Sequence, residues 1–242
     1  MSTFRAYRID RQDDGITAGF QQMSIDDLTE GNVVIKVSHS TINYKDALAA
    51  TGTAPILRRY PLNGGIDLAG VVESSDDAGL PPGTAVLVNG AGLGETVDGG
   101  YAGYARVDSA SVVPIPDGMT AVEAMQIGTA GYTAALAIHR MEQNGQAPDQ
   151  GPVVVTGATG GVGSIAIDML QGRGYEAVAL TGKATEEAYL REIGAALAEM
   201  GAQISKDYEG QDLLLVGVLK GAFMVMADLA RHITTPVEFD FM

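Results

Sequence analysis

The stretch "VVVTGATGGVGSIAIDMLQ" at 153–171 carries the most specific chemistry in this chain. Three valines run into a loop holding four glycines within seven residues (Gly157, Gly160, Gly161 and Gly163), and an apolar helical pattern begins at Ile165. A strand, a glycine turn and a helix in that order open a dinucleotide-binding unit. Backbone without Cβ atoms can turn sharply and bring N–H groups to a pyrophosphate at the positive end of the helix. Thr159, Gly160, Gly161, Val162 and Gly163 are therefore candidate cofactor-binding residues. Other chemistries are excluded by residue type. With no cysteine there is no disulfide, no thiolate–metal site and no cysteine nucleophile. The three histidines, His39, His139 and His232, lie far apart in sequence and read as surface or internally satisfied residues, so no metal is implied.

Elements must position that loop, and the composition allows them. The 242 residues suffice for one large or two small domains, and 46% hydrophobic with 19% charged residues can bury a core. No run approaches the ~20 apolar residues of a membrane span. The start "MSTFRAYRIDRQDD" lacks the apolar core of a signal peptide, which predicts a cytoplasmic protein. A formal charge of −15 argues against nucleic acid and anionic membrane as partners, and requires any anionic ligand to be held by a local site. Residues 1–117 read as mostly β: "VVIKVSHSTIN", "LAGVVESS", "GTAVLVNG" and "GGYAGYARVDSASVVPIP" are short β-branched runs between turn residues. Helical spacing begins near Thr120, "NGQAPDQGP" is turn-rich, and "EAVALTG" (176–182) reads as a second parallel strand after the glycine loop.

Five motifs now stand in order: "INYKDALAATG", "GGIDLAGVV", "GGYAGYARV", "IGTAGYTAALAI" and "VVVTGATGGVGS". Together they resemble the zinc-free quinone-oxidoreductase branch of the medium-chain dehydrogenase/reductase family, and within it the NADPH-dependent acrylyl-CoA reductases, over about 3–195. The resemblance implies a GroES-like β-rich catalytic domain over 1–120 and a Rossmann-like parallel α/β domain over 121–242. Zinc-dependent relatives carry Gly-His-Glu where this chain has Gly65-Ile66-Asp67, and Ile66 cannot ligate. The implied reaction is metal-free hydride transfer from NADPH to an α,β-unsaturated carbonyl, either an enoyl thioester such as acryloyl-CoA or a quinone. Asn43 and Tyr44 are candidate donors for the resulting enolate, and Tyr44 and Thr133 are placed at the cofactor. Asp67 has two readings, a residue that orients this pocket or a carboxylate capping a turn. Arg58 and Arg59 likewise meet coenzyme A phosphates or form a solvated pair.

NAD enzymes end the second strand with an acid that accepts from the ribose 2′-hydroxyl. Here the strand ends "ALTGKATEE", so Thr181, Gly182 and Lys183 are candidates for a 2′-phosphate. The look-alike family carries Ser-Gly-Arg there; Lys lacks the bidentate fork of Arg, which predicts weaker binding.

After "EAYLREIGA" (187–195) this resemblance stops. Residues 196–242 resemble the N-terminal part of a hypoxanthine phosphoribosyltransferase, on "LLVGVLKGAFMVMADLAR", and the chain reads as a chimera. That family's ribose-phosphate motif does not follow before Met242, so no phosphoribosyl transfer is expected. The spacing of Leu190, Ile193, Leu197, Met200 and Ile204 predicts one helix face running across the join. "DLLLVGVL", "AFMVMADLARHI" and "PVEFDF" then predict a βαβ unit that extends the sheet begun at Val153. Three functions follow: an NADPH-dependent enoyl or quinone reductase with impaired turnover, a phosphoribosyltransferase-like fragment, or a non-catalytic α/β scaffold. The resemblance admits a homodimer, although the edge strands that family dimers pair are replaced here.

Overall fold

The computed structural model describes residues 3–13, 15–181, 186–192, 196–197, 213–217 and 237–241. The chain divides into two compact units, Met1–Tyr132 and Thr133–Met242.

The first unit is β-rich. Strands β1 (Thr3–Gln12) and β2 (Gly15–Ser24) form a ten-residue antiparallel hairpin. After β3 (Val33–His39) comes helix α1 (Tyr44–Thr51), and then β4 (Leu62–Asn63), which pairs with β1. Strands β5 (Asp67–Ser75), β6 (Ala85–Asn89), β7 (Tyr104–Val107) and β8 (Val113–Pro114) join β3 in an antiparallel sheet of order β7-β3-β5-β6-β8. Alternate positions supply its core: Val33 and Ile35, Leu68 and Val72, Val86 and Val88, Ala105 and Val107 are all buried. That is the period-2 pattern of strands with one face covered.

Helix α2 (Ala121–Gln143) begins at a reciprocal cap. Thr120 Oγ1 accepts from Glu123 N–H at 3.2 Å, and Glu123 Oε2 accepts from Thr120 N–H at 2.7 Å. The two compact units divide inside this helix, between Tyr132 and Thr133. Within α2, Gly128 has non-helical dihedrals (φ 49°, ψ −160°) and breaks it.

The second unit holds the α/β elements. Strand β9 (Val153–Thr156), helix α3 (Gly161–Gly172) and strand β10 (Ala177–Leu180) follow in order, and the two strands pair in parallel. Ile138 of α2 packs with Ile167 and Leu170 of α3 and Ala177 and Ala179 of β10. The helix starts at Gly161, four residues before Ile165, where the apolar pattern was expected to begin, because glycines at its N-terminus carry no hydrophobic signal.

Two expectations past β10 are corrected. Helix α4 (Glu187–Glu192) does not carry its apolar face on to Leu197: Ala196–Leu197 is strand β11, paired in parallel with β10. Gly194 separates the two, and glycine disfavours a helix interior by about 1 kcal/mol. Strands β12 (Leu213–Gly217) and β13 (Val237–Phe241) form as expected and pair in parallel. Among the described residues, however, they form a separate two-stranded sheet and do not extend β11-β10-β9. The helix expected at 222–233 lies outside the described residues.

The end of α3 is clamped to the end of α2. Arg173 donates to Glu142 through Nε (2.8 Å) and Nη2 (2.6 Å), and Tyr175 Oη adds a 3.3 Å contact. The Arg173 hydrogen bonds hold the Glu142 carboxyl below its ordinary pKa of 4.5. A lowered carboxyl pKa stabilises the folded state above the unfolded value, and that contribution disappears as pH falls through the folded one. Glu142→Gln should therefore lower the melting temperature at neutral pH, and the gap to the parent chain should close as pH drops below about 4.5. Melting curves of both chains across that range check it.

Candidate nucleotide and substrate site

In the first unit, the polar residues converge on one carboxylate. Asp67 starts β5 and is fully buried. Its Oδ2 accepts from Asn43 Nδ2 at 2.8 Å and from Thr129 N–H at 3.1 Å. Its Oδ1 accepts from Asn89 Nδ2 at 2.8 Å and from Thr129 Oγ1 at 2.5 Å. Two donors per oxygen use the whole acceptor capacity of a carboxylate, which is how a charge is kept out of water at tolerable cost. The break at Gly128 belongs to this arrangement. A Cβ there would stand 3.1 Å from Asp67 Oδ2, and the φ of 49° is one that side-chain-bearing residues rarely adopt.

Asn43 caps α1 from the same junction. Its own N–H donates to Asp46 Oδ2 at 2.8 Å. Asp46 is buried and also accepts from Ile66 N–H (3.0 Å). Tyr101 Oη lies 3.0 Å from Asp46 Oδ2 and 3.0 Å from the Thr41 carbonyl oxygen, and it donates between them. Burial, followed by the neighbouring Asp46 and Asp67 carboxylates, pushes the Tyr101 phenol well above its ordinary range. It is therefore a fixed donor. Tyr44, by contrast, is 80% exposed, and Ile42 on the other side of Asn43 is 84% exposed. The structure thus brings Asn43 and Asp67 into contact and leaves Tyr44 facing solvent beside them.

In the second unit the glycine loop is backbone-built. Gly157 has φ 61°, and a Cβ placed on it would meet nothing within 4 Å, so its face is open. Gly163 is closed: a Cβ there would lie 2.5 Å from the Gly157 carbonyl oxygen. The loop is pinned by Gly160 N–H to Gly157 O (2.9 Å) and by Ala158 N–H to Leu180 O (3.3 Å). Gly160 is the N-cap of α3, Gly161 and Val162 form its first turn, and Thr159 is half-buried beside them. An open backbone at the start of a twelve-residue helix fits a pyrophosphate. Thr181 follows the end of β10 next to this loop, and Thr133 lies on α2. Gly182 and Lys183 lie outside the described residues. Among the described residues no three His, Cys, Asp or Glu side chains group as metal ligands, and no helix is long and apolar enough to cross a membrane.

The sequence reading missed Asp46, Tyr101, Asn89 and Thr129. Asp46 had a signal, an acid at the third helical position after an Asn cap. Thr129 had a fainter one, a Gly-Thr pair interrupting a helical pattern. Nothing local marks Asn89 or Tyr101.

Asp67→Asn replaces one acceptor oxygen with an NH2 group that faces two donors. Each buried donor left without an acceptor costs about 1–3 kcal/mol. Unfolding free energy should drop by about 2–4 kcal/mol, read from denaturant midpoints.

Residues 29–117 match the alcohol dehydrogenase GroES-like domain family. The putative quinone oxidoreductase YhfP of Bacillus subtilis is 47% identical over 196 residues, 81% of this chain and 59% of that protein. The probable acrylyl-CoA reductase AcuI of Escherichia coli is 44% identical over 191 residues, 79% of this chain and 59% of that protein. A hypoxanthine-guanine phosphoribosyltransferase of Streptococcus pneumoniae is 51% identical over 51 residues, 21% of this chain and 28% of that enzyme. The chain thus spans 59% of the length of the first two relatives. Among solved structures, the Salmonella enterica YhdH oxidoreductase in complex with NADP superposes with a TM-score of 0.81 at 35% identity, over 98% of this chain and 81% of that one. Bacillus subtilis YhfP with NAD bound gives 0.82 at 39%, over 99% and 74%. On these relatives, its GroES-like region and its α/β elements, the chain belongs to the quinone-oxidoreductase and acrylyl-CoA reductase branch of the medium-chain dehydrogenase/reductase family.

Proposed function

We propose that this chain reduces an activated alkene conjugated to a carbonyl, an enoyl thioester or a quinone, with NADPH and without a metal. The observation that carries the reading is the Asn43 amide. One of its hydrogens is committed to Asp67, and among the described residues the other has no hydrogen-bond acceptor. A donor held rigid by a saturated carboxylate can meet charge as it develops on a carbonyl oxygen. A metal-assisted alternative is disfavoured by the donor set: Ile66 offers no lone pair, and all acceptor sites of Asp67 are taken. Asp67 is then a positioning residue for Asn43, not the acid or base.

NADPH, when bound, supplies the hydride that the β-carbon gains. The chain's own groups do the rest. The open backbone at Gly157, Gly160, Gly161 and Val162 would hold the pyrophosphate, with Thr159 at its rim, while Gly163 lets the helix close against the Gly157 carbonyl. Tyr44, exposed beside Asn43, would relay a solvent proton to the α-carbon, and Thr133 on α2 is a further candidate for the coenzyme. Thr181, Gly182 and Lys183 receive the 2′-phosphate, and no acid stands there to oppose it. The complex of the Salmonella relative with NADP supports that preference. Turnover is slow in this reading, because the sequence from about 196 onward follows a different enzyme from the one that shaped the rest.

Two measurements test this. Asn43→Ala should cut kcat for NADPH-dependent reduction of acryloyl-CoA or a quinone by about 100-fold, the order expected for loss of an oxyanion donor, while coenzyme affinity holds. Lys183→Glu should abolish an NADPH-over-NADH affinity preference of about ten- to a hundredfold. An unchanged affinity ratio would show that the 2′-phosphate is held elsewhere.

A further inference from the structure

Two buried carboxylates hold Asn43, and they hold different parts of it. Asp67 takes the side-chain amide at 2.8 Å, and Asp46 Oδ2 takes the backbone N–H at 2.8 Å. A donor amide stays aimed only if both are fixed, because a side chain held at its tip still swings when its backbone moves. Asp67 has its full set of donors. Asp46 is held differently. Its Oδ1 accepts from Ile66 N–H, but Oδ2, the atom that holds Asn43, has one side-chain donor among the described residues, Tyr101 Oη at 3.0 Å. The same hydroxyl lies 3.0 Å from the Thr41 carbonyl oxygen. It therefore ties together the chain on either side of Asn43.

The ring that carries this hydroxyl has little room to shift. It lies against Gly64 and Gly65, where added Cβ atoms would stand 3.2 and 2.7 Å from ring carbons. Tyr101 N–H donates to the Gly64 carbonyl oxygen at 2.9 Å, and its own carbonyl oxygen accepts from Tyr7 N–H at 2.8 Å. Backbone on both sides thus sets where the phenol stands. Packing alone does not account for the hydroxyl, since a phenylalanine ring would fill the same slot. A buried hydroxyl loses its hydration and must be repaid by its partners. Here those partners are the carboxylate that holds the Asn43 backbone and the carbonyl two residues before it.

We propose that Tyr101 is a positioning residue for Asn43: its hydroxyl, acting through Asp46 and the Thr41 carbonyl, fixes the backbone from which the Asn43 amide is aimed. The kinetic consequence rests on the reductase reading; the structural one does not, and the two are measured separately. Tyr101→Phe keeps the ring and removes only the hydroxyl. By NMR on the full isotope-labelled chain, it should speed hydrogen exchange of the Asn43 backbone N–H about tenfold. Val72 N–H, bonded to the Thr84 carbonyl oxygen, reports the sheet and should be unchanged. In kinetics, Tyr101→Phe should lower kcat for NADPH-dependent reduction of acryloyl-CoA or a quinone about tenfold, with NADPH affinity unchanged. In an Asn43→Ala background it should have no further effect, because the amide it aims is gone. A role in general stability would lower kcat by the same factor in both backgrounds. That result, a kcat untouched by Tyr101→Phe, or Asn43 exchange that stays constant or rises only together with Val72, overturns the proposal. Failure of the reductase reading shows as faster exchange confined to Asn43 in a chain that oxidises NADPH with neither substrate.

Discussion

A carboxylate taken out of water must find its hydrogen bonds inside the protein, and Asp67 finds four. They come from three places in the sequence: the loop before α1, the end of β6 and the broken turn of α2. Each donor fixes a different element against the start of β5. The sheet sets where Asp67 stands, because Leu68 and Val72 are locked in the core. Asp67 in turn sets where α1 begins and where α2 must break. Gly128 belongs to that requirement, since a helical residue with a Cβ would press on the carboxylate that draws in Thr129.

Asp98 is a third buried carboxylate, after Asp67 and Asp46. Asp98 accepts from Arg8 (2.9 Å), Thr29 N–H (2.9 Å) and Asn63 N–H (2.8 Å). It anchors the segment that delivers Tyr101 to Asp46. Buried ion pairs such as Arg8–Asp98 add little net stability over an apolar replacement, but losing one partner leaves a charge stranded. Such groups act by fixing geometry. The acidic chain therefore surrounds its own buried carboxylates with both side-chain and backbone donors.

Some of this was legible in the sequence, for physical reasons that differ by residue. The glycine loop was legible because Gly163 allows no side chain, so steric demand writes itself into residue type. Strands β5 and β6 were legible because short β-branched runs lie between Gly, Pro and Asp turn residues. The hairpin of β1 and β2 was not, since most of β2 is exposed and lacks an apolar period. The Asp67 cluster was half legible. Asn43 and Asp67 stood in motifs that could be read, while Asn89 and Thr129 reach the carboxylate across 22 and 62 residues, and nothing in their neighbours encodes that meeting.

The join after α4 shows how an apolar period can mislead. Leu190, Ile193 and Leu197 repeat at three and four, which reads as one face of a helix. The period is blind to the glycine inside it, and Gly194 falls between α4 and β11. Ending the helix lets the backbone of Ala196 and Leu197 pair in parallel with Val178 and Ala179. Beyond it, among the described residues, β12 and β13 pair in parallel with each other. Parallel pairing is a property of that unit's own sequence, whereas joining a neighbouring sheet needs an edge complementary to it. A segment that resembles one enzyme, set after strands that resemble another, brings the first and has had no reason to acquire the second.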